Sequence, residues 1–133
     1  NILVDTSVWS LALRRDTAHP PSEVVLLGEC LDRGDGVVTT GLVLQELLQG
    51  FGGPKQAKRI VKELSLLPVL VPEIRDHVEA AELRNHCRRR GVQIGTIDAL
   101  LARLSIRYEL SLLSTDRDFE AMARHCPLVL LKP

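Results

Sequence analysis

The chain has 133 residues, of which 45% are hydrophobic, and it carries 17 basic against 17 acidic side chains. This length and composition predict one soluble domain, residues 1–133, with enough apolar side chains for a core and no room for a second domain. The net charge of zero excludes binding of nucleic acid by bulk charge alone, and an aromatic content of 3% excludes the stacking platforms of single-strand binding sheets.

Cysteine spacing and hydropathy indicate the cellular compartment in which the protein works. Cys30, Cys87 and Cys126 form no CxxC pair, which argues against a zinc knuckle or a disulfide framework and indicates a reducing environment. The apolar stretches are too short to span a bilayer, and no charged region precedes an apolar one as in a signal peptide. We therefore expect a cytoplasmic protein without a membrane partner.

Short apolar runs alternate with segments of helical periodicity along the chain. In chain order the predicted elements are a strand over 1–5, a helix to residue 15, a helix from 20–22 to 34, a strand over 37–40, helices over 42–50 and 54–67, a strand over 69–71, helices over 74–90 and 96–108, a strand over 110–113, a helix over 116–125 and a strand over 128–131. The strands are apolar throughout, as in a sheet covered by helices on both faces. The pattern predicts an α/β sandwich with a mainly parallel, roughly five-stranded sheet.

Two acidic residues stand beyond the carboxyl ends of predicted strands, where a parallel sheet binds ligands, and two more stand on predicted helices. Asp5 closes the first strand, and Asp116 follows the fourth. Glu46 lies at the edge of an apolar helical stripe, and Asp98 lies in the first turn of a helix. Asp5 could instead cap the following helix, Asp98 could complement a helix N-terminus, and Asp118 fits a capping box with Thr115. Glu46 is harder to explain structurally, because a carboxylate against apolar neighbours is costly unless it is paired or binds a metal.

Taken together, these carboxylates favour a metal site. If the sheet gathers them in one pocket, their mutual repulsion should raise the pKa of at least one. Magnesium or manganese would resolve this repulsion, because hard divalent cations take oxygen ligands. Such ions can activate water against a phosphodiester, so metal-assisted phosphodiester hydrolysis is the expected reaction class.

Four spaced motifs carry a resemblance to a known family. They are Ile2-Leu-Val-Asp5-Thr-Ser7 with Trp9, Glu46 in a leucine-rich helix, Ile97-Asp98-Ala-Leu-Leu-Ala102, and Leu113-Ser-Thr-Asp116-Arg-Asp118-Phe119. In this order they resemble the PIN-domain ribonucleases, and more narrowly the VapC-type toxins of type II toxin-antitoxin pairs. The resemblance implies a PIN-like three-layer sandwich and a magnesium-dependent endoribonuclease, partnered by a VapB-type antitoxin and forming a homodimer.

The same resemblance implies roles for individual residues. Asp5, Asp98 and Asp116 would hold the metal, Glu46 would complete the acidic site, and Asp118 would assist. Thr6, Ser7 or Thr115 could orient a carboxylate or water. The family often has Asn between the Thr and Asp of the last motif, whereas Thr115 directly precedes Asp116 here.

Basic residues suggest where RNA would bind. Residues 49–107 hold 11 basic and 6 acidic side chains, whereas residues 1–48 hold 3 and 7. One cluster near the turn leading to Asp98 is expected to contact RNA phosphates; it comprises Arg84, Arg88, Arg89 and Arg90. The alternative for this cluster, and for a second one at Lys55, Lys58, Arg59 and Lys62, is a solvated helix face.

Surplus apolar residues supply the expected dimer surface, although they could equally belong to the core. These residues are Leu42, Leu44, Leu47, Leu48, Ile60, Val61 and Leu64. Other functions fit less well: an aspartyl-nucleophile phosphatase would need a second Asp where Ser7 stands, and a receiver-like signalling domain lacks its Asp and Lys. A catalytically degenerate, RNA-binding relative is disfavoured by the intact acidic positions.

Overall fold

A computed structural model describes residues 1–14 and 18–133 of the chain. Its elements, in chain order, are β1 (Ile2–Val4), α1 (Thr6–Ala12), α2 (Ser22–Arg33), β2 (Val37–Thr40), α3 (Gly41–Gly50), α4 (Pro54–Leu64), β3 (Val69–Leu70), α5 (Ile74–Arg89), α6 (Thr96–Arg107), β4 (Ser111–Leu113), α7 (Asp118–Ala123) and β5 (Val129–Leu130). The predicted end of the first helix, at residue 15, lies outside the described residues.

The five strands form one parallel sheet in the order β3-β2-β1-β4-β5. The central strand, β1, places Leu3 opposite Val38 of β2 on one side and Leu112 of β4 on the other. The chain moves outward to β3 from β1 and then returns to the opposite side for β4. The α/β prediction with a five-stranded parallel sheet is confirmed, and the strand order reverses between β1 and β4, where such sheets bind ligands.

Burial differs between the centre and the edges of the sheet. All of β1 and β2 is buried, which fits the apolar sequence of β1, whereas β2 also buries the polar residues Thr39 and Thr40. At the edges, however, Val69 of β3 is 52% exposed and Val129 of β5 is 59% exposed. The edge strands are thus less buried than the inner strands, because each of them has a neighbouring strand on one side only. Among the described residues, no helix combines the length and apolar character needed to cross a membrane.

The leucines of α3 and α4 serve mainly as core. Leu47, Ile60 and Leu64 are fully buried, and Leu42, Leu44 and Leu48 pack partly buried against the same core. Only Val61 of this set is exposed. These residues consequently offer little apolar surface to a second copy.

The helices α5 and α6 form a hairpin that is fastened by ion pairs. Arg107 Nη1 donates to Asp76 Oδ2 at 2.6 Å, and Arg103 Nε donates to Glu79 Oε2 at 2.8 Å. Asp76 is fully buried, and its Oδ2 also accepts the backbone N–H of Glu73 in a capping box. Burial acts to raise the pKa of Asp76, but the Glu73 N–H and the Arg107 guanidinium together lower it. This hairpin sets the position of the first turn of α6.

Candidate active site

The expected carboxylates meet at the reversal of strand order. Asp5 directly follows β1 and its N–H donates to Leu113 O of β4 at 2.9 Å, so the two strand ends are joined by a backbone hydrogen bond. Asp116 lies three residues beyond β4, and Glu46 and Asp98 come from α3 and α6. We call the five carboxylates the acidic site; they are Asp5, Glu46, Asp98, Asp116 and Asp118.

Two serine hydroxyls orient Asp5, whose residue is only 6% exposed. Ser7 Oγ donates to Asp5 Oδ2 at 2.9 Å, and Ser114 Oγ donates to the same oxygen at 2.7 Å. Both serine hydroxyls thus hold the carboxylate of Asp5 through the same oxygen, Oδ2. Asp5 occupies the N-cap position of α1 but its side chain makes no capping hydrogen bond, so capping is not its role.

The serine hydroxyls also accept hydrogen bonds from the last motif. Thr115 N–H donates to Ser7 Oγ at 3.1 Å, and Asp116 N–H donates to Ser114 Oγ at 2.9 Å. The motif is thereby tied to the start of α1 across more than 100 residues of sequence. Of the three hydroxyl residues considered from the sequence, Ser7 orients Asp5, whereas Thr115 contributes its backbone N–H. The second orienting hydroxyl comes from Ser114, which sequence reasoning did not assign; its position at the end of β4 was the available signal.

The predicted capping box between Thr115 and Asp118 does not form. Instead, Asp116 Oδ1 accepts the N–H of Asp118 at 2.9 Å, and α7 begins at Asp118. Both backbone donors of the expected box have other acceptors, because Thr115 N–H donates to Ser7 Oγ and an aspartate readily bonds a backbone N–H two residues further along the chain. Asp116 thus has a local structural bond through Oδ1 and a second oxygen, Oδ2, available to a ligand.

Glu46 has one hydrogen-bond partner at the edge of the α3 apolar stripe. Thr6 Oγ1 donates to Glu46 Oε1 at 2.8 Å, which links α3 to the first residue of α1. The bond lowers the cost of holding a half-buried carboxylate. Thr6 is therefore the residue that orients Glu46, as the sequence allowed.

Asp98 carries the electrostatic strain of the acidic site. Burial, followed by the charges of Asp5, Asp116, Glu46 and Asp118, raises the pKa of Asp98 to about 6. The sequence predicted a raised pKa in at least one of these carboxylates. Asp98 therefore lies within the electrostatic reach of all four other acids.

Three of the five carboxylates lie close enough to share one ion. Asp98, Asp116 and Asp118 each offer an oxygen atom within 4.8 Å of the others. Asp5, expected as a ligand, is not part of this trio, whereas Asp118, expected only to assist, belongs to it. A donor set made only of oxygen atoms, with one carboxylate of raised pKa, fits a hard divalent cation such as Mg²⁺ or Mn²⁺.

The four arginines of the expected RNA-binding cluster differ in their surroundings. Arg84 is half-buried and its Nε donates to Ile94 O at 2.9 Å, in the turn before α6. Arg90 Nη1 contacts His86 Nδ1 and donates to its carbonyl oxygen. Arg88 and Arg89 are exposed. Only Arg84 is therefore built into the structure next to the helix that bears Asp98.

Comparisons with known proteins agree with this architecture. A family model described as PIN domain matches residues 2–125. Among solved structures, the chain is similar to VapBC2 from Rickettsia felis, bound to a promoter DNA fragment, with a TM-score of 0.77 and 22% identity over 98% of this chain and 96% of that one. It is also similar to VapC20 from Mycobacterium tuberculosis, described as a sarcin-ricin loop cleaving toxin (TM-score 0.74, 20% identity, 100% of both chains), and to FitAcB from Neisseria gonorrhoeae (TM-score 0.71, 20% identity, 100% and 98%).

Proposed function

Because the chain belongs to the PIN domain family, we propose that it is a metal-dependent endoribonuclease that serves as the toxin of a type II toxin-antitoxin pair. The observation that carries the proposal is the gathering of five carboxylates at the reversal of strand order. VapC20, which has a similar fold, is described as a sarcin-ricin loop cleaving toxin, which supports a cleaving activity here as well.

The acidic site supplies the ligands of the proposed reaction. Asp98 and Asp116, with Asp5 or Asp118 as the third carboxylate, would hold Mg²⁺ or Mn²⁺. When bound, the metal would activate a water molecule and neutralise charge that develops on the phosphodiester. Ser7 and Ser114 hold the Asp5 carboxylate in place through Oδ2. Thr6 holds Glu46 in a fixed orientation, from which its carboxylate can orient the water.

The substrate is RNA, held by its phosphates at the basic end of α5. Arg84, Arg88, Arg89 and Arg90 lie there, near the turn that delivers Asp98. Phosphate contacts of this kind position a strand without reading its sequence. They also compensate for the negative charge of the acidic site, which by itself would repel RNA.

The proposed partners are a VapB-type antitoxin and a second copy of the chain. The VapBC2 and FitAcB structures are of a similar fold. By analogy with such pairs, a short cognate antitoxin would restrain the nuclease, and the toxin would work as a homodimer in the cytoplasm, where its RNA targets are found. The acidic site is partly exposed and thus accessible to a partner as well as to RNA.

The test is cleavage of total cellular RNA by the purified protein in Mg²⁺, with the new 5′ ends mapped by sequencing. Asp98→Asn and Asp5→Asn should each lower cleavage by more than about 100-fold, since each removes a charge from the metal site. EDTA should abolish cleavage by the wild-type protein. Asp32→Asn, an exposed carboxylate on α2, provides a matched control that should cleave normally.

Two outcomes would contradict the proposal. Full cleavage by Asp98→Asn would mean that the activity comes from another site or from a contaminant. RNA binding by the wild-type protein without cleavage in either Mg²⁺ or Mn²⁺ would instead indicate a catalytically degenerate RNA-binding module.

A further inference from the structure

A pocket of about 240 Å³ lies on one side of the α5 and α6 hairpin, separate from the acidic site. Its floor is apolar and consists of alanines together with Leu100. Its polar lining includes Arg84, Asn85 and Thr96, and no Asp or Glu contributes to it. An apolar floor with a few converging polar groups is typical of small-ligand sites, and this pocket is slightly smaller than their usual range of about 300 Å³ and above.

Arg84 gives the pocket a fixed positive charge. The bond from its Nε to Ile94 O holds the side chain in place, and its two Nη groups make no hydrogen bond or ion pair with residues 1–14 or 18–133. Such a guanidinium can contact a phosphate through two parallel hydrogen bonds. Because its orientation is already set, little side-chain entropy is lost when it binds an anion.

The pocket and the acidic site share one helix end. Thr96 lines the pocket, and Asp98, two residues later in the first turn of α6, belongs to the acidic site. Asp98 Oδ2 lies over Gly95, where a Cβ atom would be 3.8 Å away. Since a helix with its side chains is about 10–12 Å across, a short stretch of single-stranded RNA can span from one site to the other.

We infer that this pocket receives one nucleotide of the RNA strand, next to the bond that is cut. Arg84 holds the phosphate of that nucleotide, the alanines and Leu100 pack against the base, and Asn85 and Thr96 meet polar atoms of the base edge. Proteins recognise RNA mostly through such unstacked single-stranded bases. This inference rests on the proposed function and adds to it a subsite that can discriminate among bases.

The test fills the pocket without disturbing Arg84. Ala81 lines the pocket and is exposed, so Ala81→Leu occupies the space while keeping the Arg84 to Ile94 bond. The binding of a fluorescent RNA oligonucleotide spanning a mapped cleavage site is measured in an Asp98→Asn background, and KM is measured in the wild-type background. We expect the dissociation constant and KM to rise about tenfold, as for the loss of one packed base.

Two further variants sharpen the result. Asn85→Ala should relax the preference for one base at a single position beside the cut. Glu82→Leu places a leucine on α5 outside the pocket, and it should not weaken binding, because removing an acid cannot reduce the affinity for a polyanion.

The failure of this inference is distinguishable from failure of the proposed function. If the wild-type protein cleaves RNA while Ala81→Leu keeps the same dissociation constant, KM and cut-site preference, the pocket does not bind the strand. An effect of Ala81→Leu on association with a protein partner alone would overturn the inference in the same way. Absence of cleavage by the wild-type protein would count against the proposed function itself.

Discussion

At the scale of single residues, hydrogen bonds orient three of the five carboxylates of the acidic site through one oxygen each. Asp5 is held by two hydroxyls on one oxygen, Glu46 by one hydroxyl, and Asp116 by one backbone N–H. The fourth carboxylate, Asp98, is distinguished by its raised pKa. The hydrogen bonds orient these carboxylates but do not neutralise their negative charges. In the metal-free protein the carboxylates therefore repel one another.

This strain predicts how stability depends on pH. Because folding raises the pKa of Asp98 from 3.8 to about 6, the unfolded chain releases its proton first as the pH rises. The contribution of Asp98 to the free energy of unfolding thus falls between about pH 4 and pH 6 and stays constant above. In EDTA, Asp98→Asn should lack this loss, so its stability relative to the wild type should increase across this window.

Urea unfolding of both proteins at half-unit pH steps measures the difference. Comparing the two proteins cancels the titration of the other carboxylates. Excess Mg²⁺ should abolish the advantage of Asp98→Asn near pH 7, because metal stabilises the ionised site by mass action. Unfolding free energies that run parallel from pH 4 to pH 7 would show that Asp98 is not strained.

Sequence reasoning worked for the acidic residues and failed for the groups around them. Asp5, Glu46, Asp98 and Asp116 were predictable because strand ends and a carboxylate beside apolar residues are visible along the chain. The bond from Ser114 to Asp5 was not, since it joins residues 109 positions apart and depends on strand order. The expected capping box does not form because Asp116 Oδ1 accepts the Asp118 N–H in place of the Thr115 hydroxyl oxygen.

At the scale of elements, the α5 and α6 hairpin supports the site through its ion pairs. Helix ends were predictable here, since Gly91 follows α5 with φ near 80°, a left-handed conformation that glycine adopts without strain. The partner of Asp76 was not predictable from its own helix, because Arg107 lies 31 residues away on α6. The buried pair thus fixes how the two helices lie against each other.

Removing the arginine of this pair should be costly. Arg107→Met leaves the fully buried Asp76 carboxylate with the Glu73 N–H as its remaining partner, and breaking such a pair costs about 3–5 kcal/mol. Arg103→Met is a matched control, since its partner Glu79 is partly exposed and such a pair contributes about 1 kcal/mol or less. Equal losses of unfolding free energy in the two variants, measured by urea titration, would contradict this role of Arg107.

At the scale of the whole molecule, the exposed apolar surface does not lie on α3 and α4, where the dimer surface was predicted from the sequence. The leucines of α3 and α4 are mostly core, whereas Leu66, Val71 and Ile74 are 74–81% exposed beside the β3 edge. These three residues flank β3 in the sequence, and exposed apolar surface is typical of protein interfaces. Sequence reasoning could not separate core from interface, because both require the same residue types.

This surface predicts self-association of the isolated chain. We expect sedimentation at high micromolar concentration to give a dimer, and Ile74→Glu to shift the equilibrium toward monomer by placing a charge among apolar side chains. Val25→Glu is a control at an exposed apolar position on α2. A wild-type protein that remains monomeric at this concentration would contradict the homodimer.

The order of the strands also has a consequence for biosynthesis. Asp5 leaves the ribosome early, but the strand and hydroxyl that complete its surroundings, β4 and Ser114, are separated from it by most of the chain. Translation proceeds at about 5–20 residues per second, so many seconds of elongation elapse before these groups can meet. A growing polypeptide therefore carries an incomplete acidic site until residues 111–118 have emerged.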